Sequence, residues 1–148
     1  MLQALVPRLI AWVLSENSNG TFNVAPFSFF NGIAAEPPLI MIAVARNNDG
    51  SRKDTCVNID ERHHFVVHVP PVEMVEAMVA TSKHLPVNET ELSLANLPTV
   101  PVEGETLPRI EGPKLAMFVR KHSIIEIGDE KVSMVIGEIK NIWVDDSA

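Results

Sequence analysis

Apolar residues in this chain come in short runs of strand length, each closed by turn chemistry. Leu9 to Ser15 is followed by the polar stretch Glu16 to Thr21, centred on Asn19-Gly20, and Phe22 to Phe29 resumes the apolar pattern. This predicts a hairpin, because Asn-Gly accepts the positive φ that tight turns require. Pro37-Pro38 introduces Leu39 to Val44, a continuous apolar run that predicts a third strand covered on both faces, and Asn47-Asn48-Asp49-Gly50 ends it. Phe65 to Val69, Leu115 to Val119, Ser123 to Ile127 and Lys131 to Val144 add four more strands, with turns at Lys121-His122 and Gly128-Asp129.

Between the strands, Ser51 to Arg62 reads as a short helix capped by Ser51 or Asp54. Pro71 opens a second helix whose Val72, Val75, Met78 and Val79 share one face, ending near Ser82. Leu85 to Pro113 carries five prolines and reads as an excursion, with a short helix within Glu89 to Leu97. Strands at both ends with helices between predict a mainly β fold, a closed or split barrel. At 148 residues one core suffices, so residues 1–148 are expected to form a single domain.

A formal net charge of −7 argues against nucleic acid, since phosphate-backbone binding needs clustered Lys and Arg. Any anionic ligand must meet a local basic spot. Cys56 is the one cysteine and fits a reducing compartment, with the cytoplasm expected. The apolar stretch Met1 to Leu14 is interrupted by Pro7 and Arg8 and reads as folded chain rather than a leader. No run reaches the roughly 18 apolar residues of a membrane span. The triplets Asn19-Gly20-Thr21 and Asn88-Glu89-Thr90 read as chance matches to a glycosylation signal.

Neither glycine fingerprint of a dinucleotide fold or a P-loop is present. His63, His64 and His68 raise a metal site, but His68 falls within an apolar strand, and ordinary edge or pocket histidines are the expected reading. No serine sits on a strand-to-helix elbow, and the pairs Asp60-Glu61 and Asp145-Asp146 read as a helix end and a solvated tail. The informative segment is Arg46 to Thr55, RNNDGSRKDT, which sets three cations, two hydroxyls and a glycine turn at the start of a helix. Free N–H groups and the positive end of the helix dipole favour an anion there, and Lys53 with Arg46 or Arg52 could neutralise a phosphate. A capped helix with solvated basic residues is the plainer alternative.

A second set of blocks bears on this choice: PRLIAWV, then NVAPFSFFN (Asn23 to Asn31), EPPLIMIAVAR, SRKDTCVNI, HFVVHV, TSKHLP and VIGEI, in that order from Pro7 to about Val144. Together they resemble the flavin reductase-like, FMN-binding split-barrel family. The resemblance implies a six-stranded antiparallel split barrel of Greek-key type with a few short helices, assembled as a homodimer with FMN near the interface. Carried over residue by residue, it assigns Asn23, Ala25, Pro26, Phe27, Ser28 and Asn31 to the isoalloxazine and ribityl chain. It assigns Arg46, Ser51, Lys53 and Thr55 to the phosphate side, and Ser82 to the flavin of the neighbouring subunit. His84 is a candidate lining residue of the groove, with plain loop placement as the alternative.

The function implied is a flavin reductase-type oxidoreductase that passes hydride from NAD(P)H to flavin, with a redox or oxygenase partner taking the reduced flavin. The rival is an FMN-holding electron carrier that does not use nicotinamide. The flavin carries the chemistry, so no general acid or base is assigned.

Overall fold

The computed structural model describes residues 4–82 and 90–148. A hairpin opens the chain: β1 (Ala11–Glu16) and β2 (Phe22–Phe27) pair antiparallel from Ala11↔Phe27 to Glu16↔Phe22. Its turn uses Gly20 at φ 81° and the Asn19 side chain, whose Oδ1 accepts from the Thr21 N–H and hydroxyl. The run expected as one strand to Phe29 breaks at Ser28, and β3 (Phe30–Ala34) turns back to pair with β4 (Leu39–Val44).

Helix α1 (Asp54–Arg62) follows, then β5 (His64–His68), a 3-10 turn over Val72–Met74, and α2 (Val75–Ala80). Next come α3 (Glu91–Leu94) and the two-residue ladder of β6 (Thr99–Val100) with β7 (Arg109–Ile110). Two long strands, β8 (Leu115–Ile127) and β9 (Val132–Val144), complete the sheet. The order β2-β1-β5-β8-β9-β4-β3 places seven strands in one antiparallel sheet that stays open between its edges.

The mainly β split-barrel fold expected from sequence is the fold observed, with seven strands in place of six. The expected break at Lys121-His122 is instead a bulge within β8. The Lys121 N–H donates to the His63 carbonyl, and its ammonium reaches the Asp60 carboxylate at 2.9 Å, so α1 pins the bulge in place. Strand β4 alternates instead of being covered on both faces: Ile40, Ile42 and Val44 are buried, while Leu39, Met41 and Ala43 are half-buried.

Two apolar clusters lie on opposite faces of the sheet. Inside the barrel, Val13, Phe27, Ile42, Ile59, Phe65, Val67 and Val135 pack together. On the other face, Trp12, Leu14, Val24, Val66 and Phe118 are covered by Met78, Leu97, Leu107 and Ile110. That covering layer positions the site, because it fixes α2, α3 and the β6–β7 ladder against the sheet. Within it Met78 is buried, but Val72, Val75 and Val79, expected to share its buried face, are exposed.

Two side chains lock the layer. The Trp12 indole N–H donates to the Thr81 hydroxyl at 2.9 Å, holding the end of α2. His68 uses both ring nitrogens on backbone: Nδ1–H donates to the Trp12 carbonyl at 3.1 Å, and Nε2 accepts the Ile110 N–H at 3.0 Å. This tautomer leaves neither nitrogen for a metal. Burial pushes the His68 pKa down to about 4.

Candidate functional site

The cleft of interest forms where β2, the loop after β4, the start of α1, the end of α2 and the start of α3 meet. It has a volume of about 410 Å³. Asn23 and Ala25 line one wall, and Arg46, Asn47, Asn48 and Asp49 line the loop side. Lys53, Asp54 and Thr55 line the start of the helix, and Thr81, Ser82 and Glu91 close the far side.

Local sequence explains the loop. The Gly50 N–H bonds the Asn47 carbonyl at 2.9 Å, with Gly50 at φ 83°, a conformation that favours glycine. Asp49 Oδ1 accepts from both the N–H and the hydroxyl of Ser51, and the Asn47 amide donates to the Ser51 oxygen. Ser51 thus serves the turn and does not cap the helix. The N-cap position belongs to Lys53, whose carbonyl accepts from Cys56 and Val57 and whose side chain makes no capping bond. The N–H groups of Asp54 and Thr55 precede the first helical bond, so the helix leaves them available to an anion.

The cations of this loop have different fates. Arg52 turns away from the cleft to Asp60 at 2.9 Å and to Cys56 Sγ at 3.2 Å. Hydrogen bonds from Lys121 and then Arg52 hold the Asp60 carboxyl below the usual carboxylate range. Arg46 stays at the cleft but is tethered, with Nε donating to the Lys131 carbonyl and a guanidinium nitrogen 2.6 Å from Glu126. Lys53 reaches the cleft, and among the described residues its ammonium makes no hydrogen bond or ion pair.

Behind the loop runs a buried polar chain. The Thr55 hydroxyl donates to Asn23 Oδ1 at 2.8 Å. Asn23 Nδ2 donates to Glu91 Oε1 at 2.9 Å, and the Val24 N–H donates to Glu91 Oε2 at 3.0 Å. All three side chains are buried, so the Asn23 amide is fixed in one orientation at the cleft wall.

Of the residues expected from sequence, Asn23, Ala25, Arg46, Lys53, Thr55 and Ser82 are brought together here. Ser82 meets the cleft of its own chain, where the resemblance had it reaching a neighbouring subunit's flavin. Pro26, Phe27, Ser28, Asn31 and Ser51 are not among the lining residues. Alternation along β2 sends Pro26 to the opposite face from Asn23 and Ala25, and Phe27 is buried inside the barrel. Ser28 is half-buried in the bend between strands, and Asn31 is exposed on β3 opposite Met41. His84 lies outside the described residues.

Outside the Arg46–Thr55 segment, Glu91 and Thr81 are the lining residues that sequence reasoning missed, and within it Asn47, Asn48, Asp49 and Asp54 were not assigned a role at the site. An acid in the first turn of a short helix looks like dipole complementation at a solvated end. Only the docking of α3 against β2 reveals its partners. Thr81 opens the TSKHLP block, and the Trp12 indole on the face that α2 covers needed an acceptor, but no spacing joined the two.

The family model described as the flavin reductase like domain matches residues 3–148. The chain belongs to the flavin reductase-like family. An uncharacterized protein of Halalkalibacterium halodurans is 37% identical over 99% of this chain and 72% of its own length. Among solved structures, nitrilotriacetate monooxygenase component B from Bacillus cereus superposes with a TM-score of 0.90 at 34% identity, covering 97% of this chain and 73% of that one. The 2-nitrobenzoate 2-nitroreductase of Pseudomonas fluorescens gives 0.85 at 33% identity, covering 97% and 68%. A flavin reductase-like domain therefore accounts for the split barrel and for the ordered sequence blocks together.

The cleft residues fit an FMN. A phosphate would meet the Lys53 ammonium and two helix-start N–H groups, and a heteroaromatic edge would meet Asn23 and the small Ala25. No helix of the described residues is long and apolar enough to cross a membrane.

Proposed function

We propose that this cleft binds FMN and that the protein is an NAD(P)H-dependent flavin oxidoreductase. The observation that carries the reading is Lys53, an uncommitted ammonium at the start of α1, lining one cleft with the rigid Thr55–Asn23–Glu91 chain. When bound, the flavin supplies the hydride-accepting ring and the electron-carrying chemistry. The protein's own residues do the positioning. Lys53 and the N–H groups of Asp54 and Thr55 neutralise and orient the phosphate. The fixed Asn23 amide presents hydrogen-bonding groups to the polar part of the ligand, and Ala25 leaves room for a flat ring. Ser28 and Asn31, near the β2–β3 bend, would approach the ring only from the rim of the cleft.

A homodimer belongs to this reading. Phe29 and Ile33 near β3 and Val72, Val75 and Val79 beside the 3-10 turn and α2 expose apolar side chains that a second copy would cover. The relative from Bacillus cereus is by name one component of a monooxygenase, which supports a protein partner that takes the reduced flavin.

Steady-state oxidation of NADH and of NADPH, with FMN added, tests the enzyme. Turnover that saturates in nicotinamide and falls at least tenfold in Lys53→Ala is expected. Flavin that is held but reduced only by another redox protein, never by nicotinamide, would make the protein an electron carrier and overturn the reductase assignment.

A further inference from the structure

A second cleft, of about 350 Å³, opens at the other end of α1. The nine-residue helix separates the two by roughly 14 Å along its axis. Leu107 and Phe118, buried on the covered face of the sheet, form its apolar floor, and Phe65 and Val119, whose side chains belong to the cluster inside the barrel, line it from β5 and β8. Arg62, His63, His64, Arg120 and Lys140 stand around it, in a chain whose net charge is −7.

Most of these charges are already answered. Arg62 pairs with Glu61 at 3.0 Å and Lys140 with Glu138 at 2.6 Å. His64 Nε2 lies 3.5 Å from Glu16, and Glu105, the acid lining the cleft, accepts from the Asn141 amide. Arg120 is different. It is exposed on β8, and among the described residues its guanidinium makes no ion pair or hydrogen bond. Its cross-strand neighbour Glu138 is turned to Lys140 instead. Beside it, His63 closes α1 at φ 66°, which places another exposed donor at the rim.

We propose that this second cleft is a binding site for a small organic anion with an apolar body, an aromatic carboxylate being the class that fits best, with Arg120 as its anchor. A guanidinium presents two parallel N–H donors to a carboxylate, a match that a point charge does not offer. The floor and the hydrocarbon stems of Arg62 and Lys140 provide the surface on which a ring lies. The volume falls in the range of small-molecule sites. This site shares no lining residue with the flavin cleft, so its test is independent of flavin binding.

The test is a titration of the 15N-labelled full chain with sodium benzoate, followed by amide chemical shifts, with sodium acetate and inorganic phosphate in parallel. The expected result is saturable movement of the His63, His64, Leu107 and Arg120 amides with a dissociation constant in the millimolar range or tighter. Arg120→Gln weakens it at least tenfold, Arg120→Lys weakens it less, and acetate and phosphate do not saturate these amides over the same range. Because Arg120 is exposed, an undisturbed spectrum of Arg120→Gln serves as the folding control. Shifts that never saturate, shifts that persist unchanged in Arg120→Gln, or phosphate binding as tightly as benzoate would each overturn the proposal.

Discussion

Glu91, the first residue of α3, holds Asn23 of β2 by its side-chain amide at 2.9 Å while its second oxygen takes the neighbouring Val24 N–H. One buried carboxylate thereby joins a four-residue helix to an edge strand and fixes a wall of the cleft proposed to hold FMN. Removing it in Glu91→Ala leaves two buried donors without these acceptors. The expected cost is about 2–4 kcal/mol, each orphaned donor contributing about 1–2. Urea unfolding measures it, and FMN affinity should fall in parallel because the Asn23 amide is released. Glu91→Gln, which keeps one acceptor, should lose less of both.

His68 gives the fold a pH dependence of known sign. The buried ring is neutral, with its pKa lowered to about 4 by loss of solvent, against about 6.5 in the unfolded chain. The unfolded state therefore binds the extra proton first. Stability is full above pH 6.5 and is lost as pH falls through about 4, by about 3 kcal/mol in all. Protonation also turns Nε2 into a donor facing the Ile110 N–H. Denaturant unfolding between pH 7 and pH 4 should show this decline, and His68→Leu should flatten it while lowering stability at pH 7.

Arg46 and Lys53 should contribute unequally to anion binding. Arg46 is held by Glu126 and the Lys131 carbonyl, whereas Lys53 is uncommitted among the described residues. Although desolvation opposes it, hydrogen bonds from Ser133 and Arg46 keep the Glu126 carboxyl below its usual range. Arg46→Ala should weaken FMN binding less than Lys53→Ala does. Glu126→Gln should leave binding unchanged or tighten it, since it frees the guanidinium. Fluorescence titration of the three variants with FMN checks the order.

Gly137 in β9 packs directly against Val119 and Phe65 of the barrel interior. A Cβ added there would sit 2.3 Å from Val119 Cγ1 and 2.8 Å from Phe65 Cζ. Gly137→Ala should therefore destabilise by about 1–3 kcal/mol through overpacking. Thermal unfolding measures the loss.

Strand runs and turn residues made most of the fold legible, because period-two burial and Asn-Gly chemistry are local properties. The chain between Phe22 and Val44 was less readable. The second strand was expected to run to Phe29, yet the chain bends at Ser28, two residues after Pro26, and β3 (Phe30–Ala34) follows where no strand was expected. Likewise Lys121-His122 resembles a turn, yet a contact from α1 some sixty positions earlier turns it into a bulge. At the site, the basic loop before α1 pointed to anion chemistry, and Lys53 and Thr55 both line the cleft at the start of that helix, the Thr55 hydroxyl being given to Asn23. Which arginine remains at the cleft, and which acid braces Asn23, depended on tertiary partners that spacing does not encode.

The most direct test of the central claim compares FMN with riboflavin, which lacks the phosphate, by fluorescence titration of the wild type and Lys53→Ala. The wild type should bind one FMN per chain at least tenfold more tightly than riboflavin, about 1.4 kcal/mol, and Lys53→Ala should erase most of that difference. Equal affinity for the two flavins in the wild type, or an undiminished preference for FMN in Lys53→Ala, would contradict the assignment of this cleft.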